Sequence, residues 1–546
     1  MYRRYALCNF CLIFVLHQKY QTHPTGCAPG TLKGITQSLL HPKAMRKLLL
    51  IPGIFLLLMS VACGSGSGSS NGGGGFGNGG SNGFSNASLS GAYTYQATGF
   101  DFASNANLPF REAGVFVADG KGNITGGSDD LTEGTSLFSD TITGTYNIAS
   151  DGTGTATMSF SNGGVIRWAF TMVTTSKVLF TTPVVDSGSV ALGVDINKQS
   201  SGVALKQDST VMSTFPSGTF AFGLHRVSST QGSSSTAGAF SIGSGGVVSS
   251  GNEDVLLAGA LTPHTLTGLF NSTDTFGRGT GTLTNELSQP ITFVYYMVNA
   301  NTMFILSTDS GVNGVGRAEK QSTSTFALSS LSGGYAFGSQ GDTSSLDAVN
   351  SAGRFSAGGD GTITAGVFDT VQDGTPATNV AFTGTYTVTT KGRVVLDLTP
   401  GSGSPIEQIA WMVSPTRAFF LVNDGAKTED GTMDGQTGTF SNTSLNGAFT
   451  FATNGFNQTD SFARVGTMTG DGAGNLKLAY ALTEPNLATQ AVSLNGTYTV
   501  NSNGRATASV DTLSANLVFY LISGSDGYIV QADTGTEIAG SFTKQQ

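Results

Sequence analysis

The feature that most constrains the fold is one motif that occurs four times at nearly constant spacing. Residues 88–95 read SLSGAYTY, and residues 444–451 read SLNGAFTF. Related segments occur at 331–337 and, more weakly, at 217–222. The steps between the motif glycines are 127, 115 and 114 residues, because these glycines are Gly91, Gly218, Gly333 and Gly447. A period of this length indicates a tandem array of whole domains and not a solenoid of short repeats.

The first 62 residues differ in charge from the rest of the chain. They hold seven Lys or Arg and no Asp or Glu, whereas the remainder has a net charge of −16. Met45-Arg46-Lys47 precedes an apolar run of 15 residues, 48–62, which is short for a membrane-spanning helix. This pattern predicts a signal peptide at 45–62. We expect 1–44 to be an extension that results from a start codon assigned too early.

The end of the apolar run carries a processing signal. Ser60-Val61-Ala62-Cys63-Gly64 resembles the lipobox of bacterial lipoproteins, although Ser60 stands where Leu is usual. The resemblance implies that Cys63 becomes the lipid-carrying first residue and that Gly64 favours the outer membrane or cell surface. The alternatives are an ordinary signal peptide, with a secreted or periplasmic product, and an uncleaved anchor. The Gly/Ser-rich segment 63–86 is predicted to be a flexible tether.

Cysteine usage indicates how the exported part is stabilised. Cys8, Cys11 and Cys27 precede Cys63, and no cysteine follows it. The body is therefore predicted to lack disulfides even in an oxidising compartment. Units of about 110 residues are long enough to form their own hydrophobic cores.

The repeats read as strands. Apolar residues alternate with polar ones in short runs separated by Gly, Asp, Asn and Ser, and no helical period is sustained. The sequence predicts an all-β chain of four tandem antiparallel domains, each an eight-stranded up-and-down barrel, with a two-sheet sandwich as the alternative. The predicted domains are 87–205, 206–324, 325–438 and 439–546. The eight predicted strands of the first are 91–100, 111–118, 122–131, 141–149, 153–160, 165–173, 178–182 and 189–196.

Two further patterns recur inside the repeats. Thr143-Gly144-Thr145-Tyr146 has counterparts at 267–270, 383–386 and 495–498, where we expect close approach of another backbone to the glycine. A continuous apolar run recurs at 168–173, 293–298, 409–413 and 517–522. Continuous runs have both faces covered, so we expect this hairpin to face its own core and also a loop or a neighbouring repeat.

The first, third and fourth repeats open with a Leu-x-Gly-x-aromatic pattern such as Leu89-x-Gly91-x-Tyr93. The repeats close on 197–199, 319–321, 434–436 and 543–545. This outline weakly resembles the calycin barrels, the lipocalin and avidin-like group. The resemblance implies small-ligand binding inside the barrels as one alternative function. The whole chain also resembles uncharacterised, glycine-rich, exported repeat lipoproteins.

Few residues offer chemistry. After Cys63 the only histidines are His225 and His264, and neither has an acidic or cysteine partner at ligand spacing. Asp130, Asp254 and Asp369 occupy matching positions, with Leu482 in the fourth repeat. Oxygen ligands of this kind suit Ca²⁺, but Asp-capped turns explain them better, and we expect no metal. The same applies to Asp309, Asp424 and Asp533, while Trp168 and Trp411 are expected in the core.

These observations exclude several classes and leave three hypotheses. A body with a charge of −16 and no basic stripe is not typical of nucleic-acid binding, and no phosphate-binding loop occurs. The leading hypothesis is a non-enzymatic, surface-tethered lipoprotein with a binding, adhesion or envelope-structural role. It needs no cofactor, and its partners are the membrane and an extracellular polymer or protein. The alternatives are ligand binding inside the barrels and hydrolysis of a polysaccharide by paired carboxylates.

Overall fold

The computed structural model contains four closed β-barrels, each made of eight antiparallel strands. It describes residues 83–103, 108–185, 189–228, 232–343, 347–457, 460–484, 487, 489–510 and 515–546. Within each barrel every strand pairs with the next, and the first strand pairs with the eighth. The prediction of four tandem all-β barrels is confirmed, and the sandwich alternative is wrong. The predicted signal peptide, Cys63 and most of the tether lie outside the described residues.

The strands of the first two barrels follow the alternation of the sequence. Those of barrel 1 are β1 (Ser90–Asp101), β2 (Leu108–Asp119), β3 (Asn123–Glu133), β4 (Ser136–Ile148), β5 (Thr153–Phe160), β6 (Val165–Thr174), β7 (Lys177–Thr182) and β8 (Lys198–Lys206). Those of barrel 2 are β9 (Gly218–Ser228), β10 (Gly232–Ile242), β11 (Val247–Leu257), β12 (Ala260–Phe270), β13 (Arg278–Asn285), β14 (Pro290–Asn299), β15 (Thr302–Ser307) and β16 (Val312–Lys320).

The last two barrels repeat this order. Those of barrel 3 are β17 (Ser332–Thr343), β18 (Ala348–Gly358), β19 (Thr362–Gln372), β20 (Thr375–Val388), β21 (Arg393–Pro400), β22 (Ile406–Ser414), β23 (Arg417–Asn423) and β24 (Lys427–Gly435). Those of barrel 4 are β25 (Asn446–Asn457), β26 (Asp460–Asp471), β27 (Asn475–Thr483), β28 (Gln490–Val500), β29 (Arg505–Val510), β30 (Ala515–Leu521), β31 (Asp526–Gln531) and β32 (Thr536–Lys544).

The eighth strand predicted for the first repeat, 189–196, is wrong. Ser189–Leu192 is a short helix, and β8 begins only at Lys198. The connection between β7 and β8 therefore spans 183–197, while the corresponding connection in barrel 2 spans 308–311. This insertion accounts for the longer first step of 127 residues. The first repeat consequently closes on 205–207, and the proposed closing segment 197–199 is wrong.

Glycines at the recurring motifs are required by geometry. The four motif glycines have positive φ, as Gly91 shows with a φ of 97°. A Cβ on Gly144 would lie 2.1 Å from the carbonyl oxygen of Thr157 on the neighbouring strand. The expected close approach of another backbone is thus confirmed. Tyr146, two residues on, donates its hydroxyl hydrogen to the carbonyl of Leu89 at 2.7 Å, which fixes the turn before β1.

Inward side chains fill the described barrel interiors. In barrel 1, Trp168 stacks on Phe180 with ring centroids 3.7 Å apart, and both are fully buried. Each of the other barrels has its own cluster of buried aromatic and aliphatic residues. Cavities of about 20 Å³ in barrel 4 and about 10 Å³ in barrel 1 are each of the size of one water. No helix among the described residues is long and apolar enough to cross a membrane.

The barrels pack in a cyclic order within the compact unit 81–546. Barrel 1 contacts barrel 2, barrel 2 contacts barrel 3, barrel 3 contacts barrel 4, and barrel 4 contacts barrel 1. At each contact, which we call a seam, the first two strands of one barrel meet the last three of the next. Val294 and Leu306 of barrel 2, for example, pack on Val115 of barrel 1. The expectation that the apolar hairpin is covered on both faces is confirmed.

Candidate functional site at the seams between barrels

The seam between barrels 1 and 2 contains a buried ion pair. Asp130 on β3 is fully buried and receives two hydrogen bonds from the Arg278 guanidinium, at 2.6 and 2.9 Å. The Tyr296 hydroxyl also donates to Asp130, at 2.5 Å. Bidentate pairing of this kind is strong and directional. The hydrogen bonds that Arg278 donates to Asp130 raise the pKa of the Arg278 guanidinium.

The same three-residue arrangement recurs at the next two seams. Asp254 of barrel 2 pairs with Arg393 of barrel 3 at 2.6 and 2.7 Å, and the Trp411 indole donates to it at 2.8 Å. The third seam uses the residues Asp369, Arg505 and Tyr520, the first from barrel 3 and the others from barrel 4.

These aspartates therefore have a different environment from the one predicted. Asp130, Asp254 and Asp369 lie inside strands and are fully buried, so the interpretation as Asp-capped turns is wrong for them. Each carboxylate pairs with an arginine from the following barrel. The guanidinium supplies the positive charge that a bound cation would otherwise supply. No group of three or more His, Cys, Asp or Glu suited to one metal ion occurs among the described residues.

The closing seam, between barrels 4 and 1, lacks this arrangement. Thr153 and Thr171 of barrel 1 take the strand positions of the arginine and the tyrosine or tryptophan. The pairing of β26 with β27 puts Ala481, and not Leu482, at the aspartate position, because Val465 opposes Ala481 as Ala113 opposes Asp130. Leu482 points into the core of barrel 4. All three members of the set are thus replaced together, and none is left as an unpaired buried charge.

Other contacts hold the closing seam. The hydroxyls of Thr181 and Thr483 are 2.8 Å apart, and the Gln199 side-chain amide donates to the Thr483 carbonyl at 2.7 Å. The insertion between β7 and β8 adds a backbone bond from Thr489 to the carbonyl of Val185 at 2.9 Å. An insertion present only in barrel 1 therefore contacts barrel 4 at the seam without an ion pair.

A glutamine at the end of each repeat also binds the next barrel. The Gln207 side-chain amide donates to the carbonyls of Phe276 and Met297 at 2.9 and 2.8 Å. Gln321 and Gln436 make the equivalent pairs of hydrogen bonds to barrels 3 and 4. Gln545 donates to the carbonyls of Asp151 and Met172 of barrel 1 at 2.8 and 2.9 Å. The closing seam thus has the same glutamine contact as the other three seams, although barrels 4 and 1 are not consecutive in the chain.

Gln545→Ala is expected to destabilise the closing seam by about 1 kcal/mol, because the exposed Asp151 carbonyl and the partly buried Met172 carbonyl lose their donor. Limited proteolysis and small-angle X-ray scattering would measure the opening between barrels 1 and 4. The matched control is Gln321→Ala, which removes the same bonds at a seam that keeps a chain connection and an ion pair. Equal opening in the two variants would contradict the assignment of Gln545 to ring closure.

Each histidine has a carboxylate partner that the sequence did not indicate. His225 Nδ1 lies 2.8 Å from Asp430 of barrel 3 and 3.1 Å from the Ser235 hydroxyl. Although Ser, His and Asp meet here, a catalytic triad needs serine and aspartate on opposite ring nitrogens. Here both face the same nitrogen, and Ser235 donates directly to Asp430 at 2.5 Å. The geometry is that of a seam contact and does not activate the serine.

The remaining predicted positions lie in turns or in barrel cores. His264 Nδ1 lies 2.7 Å from Glu286, and this hydrogen bond is the main cause that lowers the pKa of Glu286 to about 2. Asp424 caps its own turn by accepting from the Lys427 backbone N–H, whereas Asp309 and Asp533 accept from Thr292 and Asn516, each 17 residues earlier in the chain. The tryptophans Trp168 and Trp411 are both 2% exposed, the second at a seam.

Barrel 1 contains a buried acid pair that sequence reasoning missed. Glu112 and Asp129 point into the barrel, and the Tyr95 hydroxyl lies 2.5 Å from Asp129 and 3.3 Å from Glu112. Burial raises the pKa of both carboxyls, and the charge of Glu112 adds to the shift of Asp129. Burial also raises the pKa of Glu253, at the position of Asp129 in barrel 2, to about 7. Alternation predicts inward-facing positions, but it does not predict polar residues there.

Comparisons with known proteins identify no family. No protein-family model matches the chain, and no curated protein matches it. Among solved structures, a DUF3598-family protein of unknown function from Nostoc punctiforme PCC 73102 is 10% identical and covers 40% of this chain and 95% of its own, with a TM-score of 0.16. The vaccine antigen transferrin binding protein B from Haemophilus parasuis Hp5 is 11% identical and covers 68% and 82%, with a TM-score of 0.17.

A further solved structure, intact Ap-TbpB with its N and C lobes, is 7% identical. It covers 84% of this chain and 96% of its own, with a TM-score of 0.16. These similarities are too low to carry an argument about function, so the function is argued from the residues of this chain.

Proposed function

We propose that this chain is an exported, lipid-anchored scaffold that presents four joined barrels at the cell surface. Its role is binding, adhesion or envelope structure and not catalysis. The observation that carries the proposal is that the polar residues shared by the repeats form contacts between barrels. The equivalent Asp, Arg and Gln residues are engaged in holding one barrel to the next. The one Ser-His-Asp grouping found above has a geometry that does not suit a triad.

The packed interiors favour binding at outer surfaces over binding inside the barrels. Cavities of about 20 and 10 Å³ are too small for a drug-sized ligand, whose pockets are commonly some 300–1,000 Å³. A rigid assembly of similar units instead suits a partner with repeated epitopes, because several weak contacts then add through effective concentration. An extracellular polymer or a surface protein has that property.

The anchor is tested by Cys63→Ala in the full chain. We expect radiolabelled fatty acid to be incorporated into the wild-type protein and lost from the variant, because the lipid is attached to the Cys63 sulfur. Cys27→Ala is the matched control and should keep full labelling. Labelling that survives Cys63→Ala would refute the anchor.

The binding role is tested on cells that display the full chain. Retention of polysaccharides and matrix proteins should exceed that of cells that express the Cys63→Ala variant. Release of soluble sugar from the same polysaccharides would instead favour the hydrolase alternative.

A further inference from the structure

Barrel 4 contains a cationic side chain that faces an internal cavity. Arg464 on β26 lies directly opposite Thr453 on β25, so the two side chains share the inner face of the sheet. Both line the cavity of about 20 Å³, whose other walls are mainly apolar and include Phe451, Met468 and Leu478. At the position of Arg464 the other barrels have Glu112, Thr236 and Ser351. A cationic side chain at this strand position therefore distinguishes barrel 4 from the other three barrels.

Two polar atoms at this cavity lack partners. The Arg464 Nε and the Thr453 hydroxyl oxygen are both buried and make no hydrogen bond. Arg464 Nη1 donates to the Gln531 side chain at 2.9 Å, and the guanidinium lies 4.6 Å from the centroid of the Phe462 ring. No carboxylate among the described residues is within 4.0 Å of it. The charges of Asp533 and Glu484 act on Arg464 from beyond hydrogen-bond distance. The two orphaned buried atoms are costly, so the cavity lacks an acceptor that both could bind.

We propose that this cavity binds one halide ion, with chloride as its ordinary occupant. A halide accepts hydrogen bonds from any direction, so the Arg464 Nε–H and the Thr453 hydroxyl can both donate to it. The space holds about one water-sized sphere, which admits a monatomic anion but not a carboxylate, phosphate or sulfate. The apolar walls favour a weakly hydrated ion of single charge that neutralises the guanidinium. The proposal is independent of the surface-binding role.

Barrel 2 provides an internal comparison. Arg226 on β9 also points inward and has a buried Nε without a partner. Its carboxylate partners are Glu253, which is buried in the same barrel, and Asp309, whereas the carboxylates that act on Arg464, Asp533 and Glu484, are only half-buried. This arginine already faces an anionic group of the protein. We therefore expect no halide at Arg226.

The experiment is crystallography of the full chain in sodium bromide, with anomalous data collected at the bromine edge. The expected result is a peak between Arg464 and Thr453 and none at Arg226. In solution, replacement of gluconate by chloride at equal ionic strength should raise the melting temperature by about 4 °C. Thr453→Val removes the hydroxyl donor, preserves the β-branched shape, and should abolish most of that increase.

Arg464→Gln provides a second variant and should remove the halide dependence while leaving melting in gluconate unchanged or raised. A non-anomalous water at the site in bromide would overturn the proposal. Identical melting of the wild-type protein in chloride and gluconate would overturn it as well, whether or not the variants fold.

Discussion

Asp369→Ala is expected to lower the free energy of unfolding by about 3–5 kcal/mol, the effect of removing one partner from a buried ion pair. Arg505 is only 10% exposed and would keep its charge with no carboxylate bonded to it. The Tyr520 hydroxyl would lose its acceptor in the same step. Urea titration followed by intrinsic fluorescence would measure the loss, which we expect as a lower midpoint for barrels 3 and 4.

The closing seam supplies the matched control for this variant. Combining Asp369→Ala with Arg505→Thr and Tyr520→Thr copies the residues found at the equivalent positions between barrels 4 and 1. Because no unpaired charge remains, we expect the triple variant to recover about half of the stability lost by the single one. A single variant as stable as the wild-type protein would show that the ion pair does not stabilise the seam.

The strands could be predicted from the sequence because their signal is local. Period-two alternation, Asp-Gly turns and recurring glycines lie within a few residues of the elements that they specify. Seven of the eight strands predicted for the first repeat overlap β1 to β7. The eighth was wrong because Ser189–Leu192 forms a short helix and Val194 makes only an isolated bridge to Val165.

The seams could not be predicted because their partners are distant along the chain. Asp130 and Arg278 are 148 residues apart, and Asp369 and Arg505 are 136 residues apart. The matching positions of the three aspartates were visible in the sequence, but a repeated carboxylate is equally compatible with a turn, a metal or an ion pair. His225 and Asp430, 205 residues apart, illustrate the same limit.

Strand register set a further limit. A shift of one residue exchanges the inner and outer faces of a strand. Alignment of the repeats by sequence placed Leu482 at the position equivalent to the three aspartates. The pairing of β26 with β27 instead places Ala481 at that position. The correction matters because an alanine at the outer face lets Val465 pack against barrel 1, and Leu482 then contributes to the core of barrel 4.

The cyclic order also explains why one seam differs from the others. Three seams join barrels that are consecutive in the chain, and each has an ion pair as well as a glutamine contact. The fourth joins the two barrels most distant in sequence, and it keeps the glutamine contact but has apolar packing, threonine hydroxyls and an insertion in place of the ion pair. The absence of a buried Asp–Arg pair there avoids the desolvation cost of that pair during a docking step that no short connection assists, and one cation, Lys177, donates across the seam to Thr543 at 3.1 Å.

The buried acids predict a loss of stability as pH rises. The folded pKa values of Asp129 and Glu112 lie above those of the unfolded chain, which are about 4. Below pH 4 both states are protonated and the stabilising contribution is complete. As pH rises toward the folded values, the unfolded chain releases protons that the folded protein retains. Each retained proton then removes about 1.4 kcal/mol of stability per pH unit.

Asp129→Asn tests this directly, because an amide replaces the protonated carboxyl with little change of shape. Urea unfolding between pH 5 and 9 should show a steeper decline for the wild-type protein than for the variant. Glu253→Gln is the matched control, because the pKa of about 7 at Glu253 confines its effect to pH values below about 7. Parallel pH profiles of the wild-type protein and Asp129→Asn would show that Asp129 is ionised in the folded state, and the acid pair would then need a counter-charge such as Lys198.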